Sequence, residues 1–152
     1  MINRKIFRLI SVIALIAITV TVFVSCGNKN GYCTVVINAD EKETSYKVDL
    51  DKVEVTEGLI SVLNYLKSDK NVDYASEDSG YGAFLTKVGD AKQDTEKGIY
   101  ISIWTSEAAD TDASEYATQK TYNGITLTSA AVGASKLTIS DGTVIYIGTV
   151  EF

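Results

Sequence analysis

Residues 56–67 read TEGLISVLNYLK, and this stretch decides the fold class because its apolar residues follow the period of a helix. Spacings of three and four place these residues on one face, which is typical of a helix that covers a sheet. They are Leu59, Val62, Leu63 and Leu66. We predict a helix over 57–67, with the side chain of Thr56 capping its first turn.

Segments on both sides of this helix predict β-strands, because their apolar residues are contiguous or alternate with polar ones. Two strands precede the helix, TVVIN at 34–38 and SYKVDL at 45–50, joined by a polar hairpin loop at 39–44. IYISIW at 99–104 and TVIYIGTVEF at 143–152 follow it. This order predicts an α+β fold with a mostly antiparallel sheet and one principal helix.

Two dipeptides predict tight hairpin turns. Asn-Gly at 123–124 and Asp-Gly at 141–142 each suit a two-residue type I′ turn, in which both central residues take a positive φ. The second turn would bring apolar residues of two strands opposite one another. The expected pairs are Ile139 with Val144 and Leu137 with Tyr146.

The N-terminus has the three parts of a bacterial export signal. Residues 1–8 carry three basic and no acidic side chains, and residues 9–24 form an uncharged apolar run of 16. That run is shorter than the roughly 20 residues that a transmembrane helix needs. Small Ser25 then precedes Cys26. The pattern predicts a signal peptide at 1–25.

Cys26 is the predicted lipidation site. A cysteine directly after a small residue is similar to the lipobox of bacterial lipoproteins, whose thiol is acylated and whose cysteine becomes the new N-terminus. We therefore predict a lipidated tether at 26–33, a domain at 34–152 and attachment to the extracytoplasmic face of the cell membrane. The alternative is an uncleaved signal anchor with an incidental cysteine.

The charge of the mature chain limits its partners. Three of the 14 basic residues and none of the 20 acidic residues precede Cys26, so the mature chain has 11 basic residues and a net charge of −9. This balance disfavours nucleic acid and anionic lipid headgroups as partners. Acylation of Cys26 leaves Cys33 without an intrachain partner, and we predict that Cys33 is a half-buried small hydrophobe, with a reactive thiol as the alternative.

The sequence contains no histidine, which removes Ser-His-Asp and Cys-His catalysis and histidine metal sites. We therefore predict a protein that is not an enzyme and has no cofactor. A carboxylate-dependent hydrolase acting on envelope glycans is one alternative, and a purely structural envelope lipoprotein is another. Acidic stretches at 69–73 and 110–115 lack the remainder of a calcium loop, so we predict solvated loops and no metal site.

Aromatic residues are the candidates for a binding surface, because Tyr and Trp offer rigid contact area with a polar tip. Five of them fall in or beside predicted loops or on one strand face: Tyr74, Tyr81, Tyr100, Trp104 and Tyr116. Tyr81 stands between two glycines, which predicts exposure at a tight turn. For Tyr100 and Trp104, packing beneath the helix is the alternative.

Four segments carry a resemblance to a known family: EGLISVLNYL (57–66), SGYGAFLTKVGD (79–90), GIYISIWT (98–105) and LTISDGTVIYI (137–147). Together they are similar to the small C-terminal domain of transcobalamin and intrinsic factor, which also occurs in many bacterial cell-surface proteins. The resemblance implies a β-grasp-like fold. In the vitamin carriers this domain helps to close over cobalamin, so the resemblance also implies a small ligand such as a corrinoid.

Two features depart from the family pattern. Ile101 follows Tyr100 where the family usually has an aromatic residue, often Trp, and the loop at 105–119 is acidic and longer than expected. The carriers also use a second domain to enclose the corrinoid, and the sequence shows one domain. The combined expectation is a lipid-anchored surface module for binding or adhesion, whose partner is a small molecule, a glycan or a protein.

Overall fold

The described part of the chain, residues 30–152, contains one α-helix and nine β-strands in a computed structural model. In chain order they are β1 (Tyr32–Ala39), β2 (Lys42–Asp49), α1 (Gly58–Lys70), β3 (Tyr74–Ser79), β4 (Gly82–Val88), β5 (Ala91–Lys92), β6 (Ile99–Thr105), β7 (Gln119–Tyr122), β8 (Ile125–Ser129) and β9 (Val144–Glu151). This confirms the predicted α+β fold.

The strands form two sheets. Six strands lie in the order β2-β1-β9-β6-β8-β7, and three lie in the order β3-β4-β5. β1 and β9 run parallel, whereas every other strand pair in residues 30–152 is antiparallel. Because β9 lies between β1 and β6, the last strand of the chain occupies the interior of the large sheet.

The predicted signal peptide at 1–25 and the predicted lipidation site Cys26 lie outside the described residues. β1 begins at Tyr32, two residues before the predicted start of the domain. Gly31 is already tied to the fold, because its carbonyl accepts a hydrogen bond from the Leu50 N–H at 3.0 Å. Within residues 30–152, no helix has both the length and the apolarity needed to cross a membrane.

α1 buries the predicted apolar face. Each residue of the stripe is at most 1% exposed: Leu59, Val62, Leu63 and Leu66. The helix begins at Gly58 and ends at Lys70, three residues beyond the predicted end. The prediction that Thr56 caps the helix is wrong. Instead, Ser61 Oγ accepts the N–H groups of Thr56 and Glu57 at 3.2 and 2.9 Å.

One hydrophobic core joins α1 to both sheets. Its buried residues include Val35 of β1, Leu63 of α1, Leu85 of β4, Ile101 of β6 and Ile147 of β9. A second cluster lies on the other face of the six-stranded sheet and consists of Val36, Trp104, Leu127, Val144 and Tyr146. β6 therefore sends alternate side chains to the two faces, as its sequence predicted.

The β1–β2 connection is shorter than predicted. The two strands pair without a break from Tyr32↔Asp49 to Ala39↔Lys42. The turn therefore consists of Asp40 and Glu41, at φ 50° and 64°. The predicted loop at 39–44 is wrong, because both residues adopt the left-handed backbone that a two-residue hairpin requires.

The two predicted Asn-Gly and Asp-Gly turns differ in outcome. At 123–124 both residues have positive φ, and the β7–β8 hairpin follows as predicted. At 141–142 only Gly142 has a positive φ, of 83°. The hairpin predicted there is wrong, because β9 pairs with β1 on one edge and β6 on the other. The predicted partners of β9, Leu137 and Ile139, lie outside the strands.

The segment around Asp141 has a different structural role. Asp141 Oδ1 accepts the Tyr32 N–H at 2.9 Å, and the Gly142 N–H donates to the Tyr32 carbonyl at 2.8 Å. The turn is therefore anchored to the start of β1, 109 residues earlier in the chain. Leu137, just upstream, is 2% exposed in the main core.

Candidate functional site

The five predicted aromatic candidates do not form one surface. Tyr81 is 77% exposed at the tip of the β3–β4 hairpin, and Tyr116 is 80% exposed in the loop between β6 and β7. Tyr74 is partly buried where β3 begins, and its hydroxyl donates to Asn64 Oδ1 of α1 at 2.8 Å. The high exposure of Tyr81 confirms the prediction made from its flanking glycines.

Trp104 and Tyr100 share a face of β6 but have different surroundings. Trp104 is 2% exposed, donates from Nε1 to Thr118 Oγ1 at 2.9 Å and meets the Tyr146 ring edge-on at a centroid distance of 5.9 Å. It is therefore a core residue, although it packs in the second cluster and not beneath α1. Tyr100 is 36% exposed and lies 6.0 Å from the ring of Phe152.

An apolar groove separates β4 of the small sheet from β6 of the large one. Its volume is about 380 Å³, within the range of small-molecule sites. The lining residues are Tyr81, Ala83, Phe84 and Leu85 from the β3–β4 hairpin, Ile101, Ser102 and Ile103 from β6, and loop residues 130–133. Of the five predicted candidates, Tyr81 alone lines this groove. Phe84 is 53% exposed and offers apolar surface to a ligand.

The edge of β6 that faces the groove is open over a short stretch. At one end Ile99 exchanges two hydrogen bonds with Asp94, at 2.8 and 2.9 Å. At the other end the Ile103 carbonyl accepts the Ala130 N–H at 2.9 Å, and pairing with β8 begins at Trp104. Backbone groups of alternate residues share a strand edge. Ile101 therefore directs its N–H and C=O to this edge, where no strand of residues 30–152 pairs with it.

Three hydrogen bonds fasten the loop at 130–136 to the β3–β4 hairpin. The Gly133 N–H donates to the Tyr81 carbonyl at 2.8 Å, the Ala83 N–H donates to Ser135 Oγ at 2.9 Å, and Lys136 Nζ donates to the Gly80 carbonyl at 3.0 Å. The two backbones approach so closely that a Cβ on Gly133 would lie 2.6 Å from the carbonyl carbon of Gly82. This contact holds one end of the groove in place.

None of the residues that line the groove is charged. Asp110, which is 8% exposed, contacts the loop that lines the groove. Its Oδ2 accepts the Thr138 N–H at 2.5 Å, and its backbone carbonyl accepts the Ala131 N–H at 2.8 Å. Asp110 therefore holds the segment 131–138 at both ends, through its backbone carbonyl at Ala131 and its carboxylate at Thr138. The groove offers apolar contact and backbone hydrogen bonds, which favours binding of an uncharged ligand.

A second, acidic cleft lies between the β1–β2 turn and the segment that follows β4. It has a volume of about 600 Å³, and its lining includes Asp40, Asp90, Asp94 and Glu96. The Lys97 amine donates to Asp94 and holds the pKa of that carboxyl below its usual range. A general acid for glycoside hydrolysis needs a raised pKa, so Asp94 does not suit that role.

In each of the two acidic stretches considered for calcium, a carboxylate accepts hydrogen bonds from other groups of the chain. Asp73 accepts hydrogen bonds from Lys67 and Lys87, at 2.8 and 3.3 Å, and the Lys67 contact chiefly lowers its pKa. Asp112 Oδ1 accepts the Ser114 N–H at 2.8 Å. Within residues 30–152, no group of three or more Cys, Asp or Glu side chains is placed to hold a metal ion.

Cys33 is fully buried in the main core. Burial raises the pKa of its thiol to about 11, because a thiolate there would be desolvated. The predicted behaviour as a small hydrophobe is confirmed, with burial more complete than the half-burial predicted. The thiol therefore takes no part in the groove.

Sequence reasoning missed most of the groove. Phe84, Ile101 and Val132 lie in three separate segments that meet only in the folded chain. The signal that could have located one wall was the Gly-Tyr-Gly run at 80–82. Gly82 has a φ of 112° and approaches Gly133 closely, which is the backbone approach that paired glycines permit.

The fold is similar to those of two solved structures. One is a Ruminococcus gnavus protein proposed to bind metal, with a TM-score of 0.53 and 22% identity over 80% of this chain and 98% of that one. The other is haptocorrin in complex with Cbi, with a TM-score of 0.53 and 11% identity over 82% of this chain and 26% of that one.

The chain thus spans about a quarter of haptocorrin. No protein-family model and no curated protein matches the sequence. The predicted resemblance to the transcobalamin type of domain is confirmed as a similarity of fold to haptocorrin, at low identity.

Proposed function

We propose that this chain is a binding module that takes a small, uncharged ligand into the groove between β4 and β6. The observation that carries the proposal is the groove itself, whose lining is apolar and includes Ile101, whose backbone N–H and C=O pair with no strand of residues 30–152 on that edge. Such a site provides burial for an apolar body and directional hydrogen bonds for orientation. The similarity of fold to haptocorrin, which was solved with Cbi, is consistent with ligand binding.

The proposal includes a lipid anchor at Cys26 and a location on the extracytoplasmic face of the cell membrane. The sequence supports this through its basic start, its apolar run of 16 residues and the Ser-Cys-Gly junction at 25–27. Only five residues separate Cys26 from Tyr32, where β1 begins. The domain would therefore be held close to the bilayer surface, and its acidic charge would keep it from binding anionic headgroups.

A corrinoid is the specific ligand that the structural similarity favours. The argument is the shared fold with haptocorrin, which was solved with Cbi, and a groove of about 380 Å³ would enclose only part of such a ligand. The chain corresponds to about a quarter of haptocorrin. A corrinoid bound here would therefore stay partly exposed unless a second protein surface covered it.

Enzymatic and purely structural functions are the alternatives to binding. The absence of histidine from the sequence argues against most nucleophilic hydrolases. A glycan hydrolase would use the acidic cleft, where Asp94, with its lowered pKa, is unsuited to the role of general acid. A structural lipoprotein would bind no ligand saturably at the groove. We therefore favour a binding protein that is not an enzyme.

Amide chemical-shift mapping of the full chain in detergent micelles tests the proposal. The probes are cobinamide and an uncharged capped tripeptide, each titrated to saturation. We expect at least one probe to shift the amides of Leu85, Ile101 and Val132 saturably. Shifts confined to the acidic cleft, or no saturable shift with either probe, would contradict a ligand site at the groove.

A further inference from the structure

Two hydrogen bonds show which backbone groups of β6 face the groove. The Gly98 carbonyl, just before β6, accepts the Phe152 N–H at 3.1 Å. The Ser106 N–H, just after β6, donates to the Val144 carbonyl at 3.0 Å. Even-numbered residues of β6 therefore bond towards β9, and the alternation of a strand turns the odd-numbered ones to the opposite edge. The N–H and C=O of Ile101 both lie on the edge beside the groove.

The open part of this edge is one residue long. On one side Asp94 exchanges two backbone hydrogen bonds with Ile99, and on the other the Ile103 carbonyl accepts the Ala130 N–H. A further strand therefore has no room to pair beyond Ile101. Ile101 is 6% exposed, and within residues 30–152 its N–H and C=O have no partner on this edge. Buried backbone groups are almost always paired, so this donor and acceptor indicate an occupant from outside the chain, either water or a ligand.

The two backbone groups of Ile101 select the chemistry of a ligand. They belong to one residue of an extended strand, so they lie side by side and need an acceptor and a donor on neighbouring atoms of the ligand. A primary carboxamide or a lactam has both, because its oxygen and an N–H lie on the same side of the C–N bond. An ordinary peptide bond is trans and directs these groups to opposite sides.

Charged groups do not match the same position. A carboxylate has only acceptors and would place an oxygen against the Ile101 carbonyl, whereas an ammonium has only donors and would face the Ile101 N–H. Either charge would also be desolvated without a partner, since none of the residues that line the groove is charged. The position therefore favours a neutral amide over an acid or an amine.

We propose that the groove binds a small ligand through a primary carboxamide or a lactam, whose oxygen accepts the Ile101 N–H and whose N–H donates to the Ile101 carbonyl. This inference rests on the proposed function and names the chemical class of its ligand. The apolar remainder of the ligand would pack against Leu85, Phe84 and Val132 of the lining. Apolar contact then contributes affinity, and the amide fixes the orientation.

The test titrates cyclohexanecarboxamide and ε-caprolactam, one member of each amide type, into the full chain in detergent micelles. We expect at least one of them to shift the Ile101 amide proton downfield saturably and to slow its hydrogen exchange at least tenfold. The type that binds more tightly distinguishes the carboxamide from the lactam. The amide of Tyr100, which bonds towards β9, is the internal control and should keep its exchange rate. Saturable binding that leaves the Ile101 amide unchanged would overturn the proposal.

Three analogues form the matched comparison. N-methylcaprolactam and ε-caprolactone keep the ring and the carbonyl of the lactam but lack the hydrogen that would donate to Ile101. Cyclohexanecarboxylate keeps the ring of the carboxamide but carries a charge. We expect each analogue to have a dissociation constant at least tenfold above that of its parent amide, because the Ile101 carbonyl would lose its donor. Equal affinity of the lactam and the lactone would contradict the amide class.

A parallel titration with cobinamide separates this inference from the proposed function. If cobinamide shifts the amides of Leu85 and Val132 without protecting Ile101, the amide class is wrong and the groove remains a ligand site. If no probe shifts the groove amides saturably, both proposals are contradicted. Tighter binding of a parent amide than of its analogues, with protection at Ile101, supports both.

Discussion

The Gly133 N–H donates to the Tyr81 carbonyl at 2.8 Å and joins two segments that are 52 residues apart in the sequence. This bond lies beside a close backbone approach, where a Cβ on Gly133 would meet the carbonyl carbon of Gly82 at 2.6 Å. Tyr81 is thereby held at the rim while its side chain stays 77% exposed. The position of the groove wall thus depends on a glycine far from it in sequence.

Replacing Gly133 by alanine should destabilise the fold. The new Cβ would force apart the loop at 130–136 and the β3–β4 hairpin, and we expect a loss of about 1–3 kcal/mol in the free energy of unfolding. Gly80→Ala is the matched control, because a Cβ at Gly80 has no neighbour within 4 Å. Its effect should stay within about 0.5 kcal/mol. Urea unfolding measures both, and equal effects would argue against the close approach.

Trp104 and Tyr116 should respond differently to truncation. Trp104→Ala removes a buried ring and leaves the Thr118 hydroxyl without its donor, so we expect a loss of about 3–5 kcal/mol in unfolding free energy. Tyr116→Ala removes an 80% exposed side chain, and we expect a change within about 0.5 kcal/mol. A stable Trp104→Ala protein in a thermal or urea unfolding experiment would refute the core assignment of this residue.

The buried Cys33 thiol should make stability fall at high pH. Its pKa is about 11 in the folded chain against an ordinary value of 9.0. The contribution of the protonated thiol to the free energy of unfolding is therefore present below pH 9 and is lost as the pH rises toward 11, because the thiol of the unfolded chain releases its proton first. We expect the unfolding free energy to fall by about 1.4 kcal/mol per pH unit in that window, relative to Cys33→Ala. Parallel curves for the two proteins would show that the thiol does not titrate in this way.

Acylation should depend on Cys26 and not on Cys33. Metabolic labelling with a palmitate analogue should mark the wild-type protein and Cys33→Ala, and both should fractionate with membranes. Cys26→Ala should lose the label, because the acylated thiol is absent. Persistence of label and stable membrane association in Cys26→Ala would contradict the predicted lipoprotein signal.

Local patterns predicted much of the fold because they depend on residues close together in sequence. The stripe on α1 and the Asn-Gly turn at 123–124 are of this kind, and both agree with the structure. The Asp-Gly turn at 141–142 failed because its role is set by a distant partner. Asp141 accepts the Tyr32 N–H, and no local signal reports that pairing.

The candidate site was less predictable for the same reason. Tyr81 was identified through its flanking glycines, but Phe84, Ile101 and Val132 were not. Their proximity follows from the separation of β4 and β6 into two sheets, which alternation within each strand does not encode. Trp104 was named as a candidate from its type, and its burial depends on Tyr146 of β9, 42 residues later.

The most direct test of the groove as a ligand site is to fill it. Ala131 is exposed on its lining, so Ala131→Trp should occupy the cavity without breaking the hydrogen bond of its own N–H to Asp110. Ala75→Trp is the matched control at an exposed position on β3, outside the groove.

The measurement is the dissociation constant of whichever probe, cobinamide or the capped tripeptide, binds the wild-type chain more tightly. We expect Ala131→Trp to weaken binding at least tenfold and Ala75→Trp to leave it within about twofold, with both variants folded by circular dichroism. Undiminished binding in a folded Ala131→Trp protein would contradict the assignment of the groove as the ligand site.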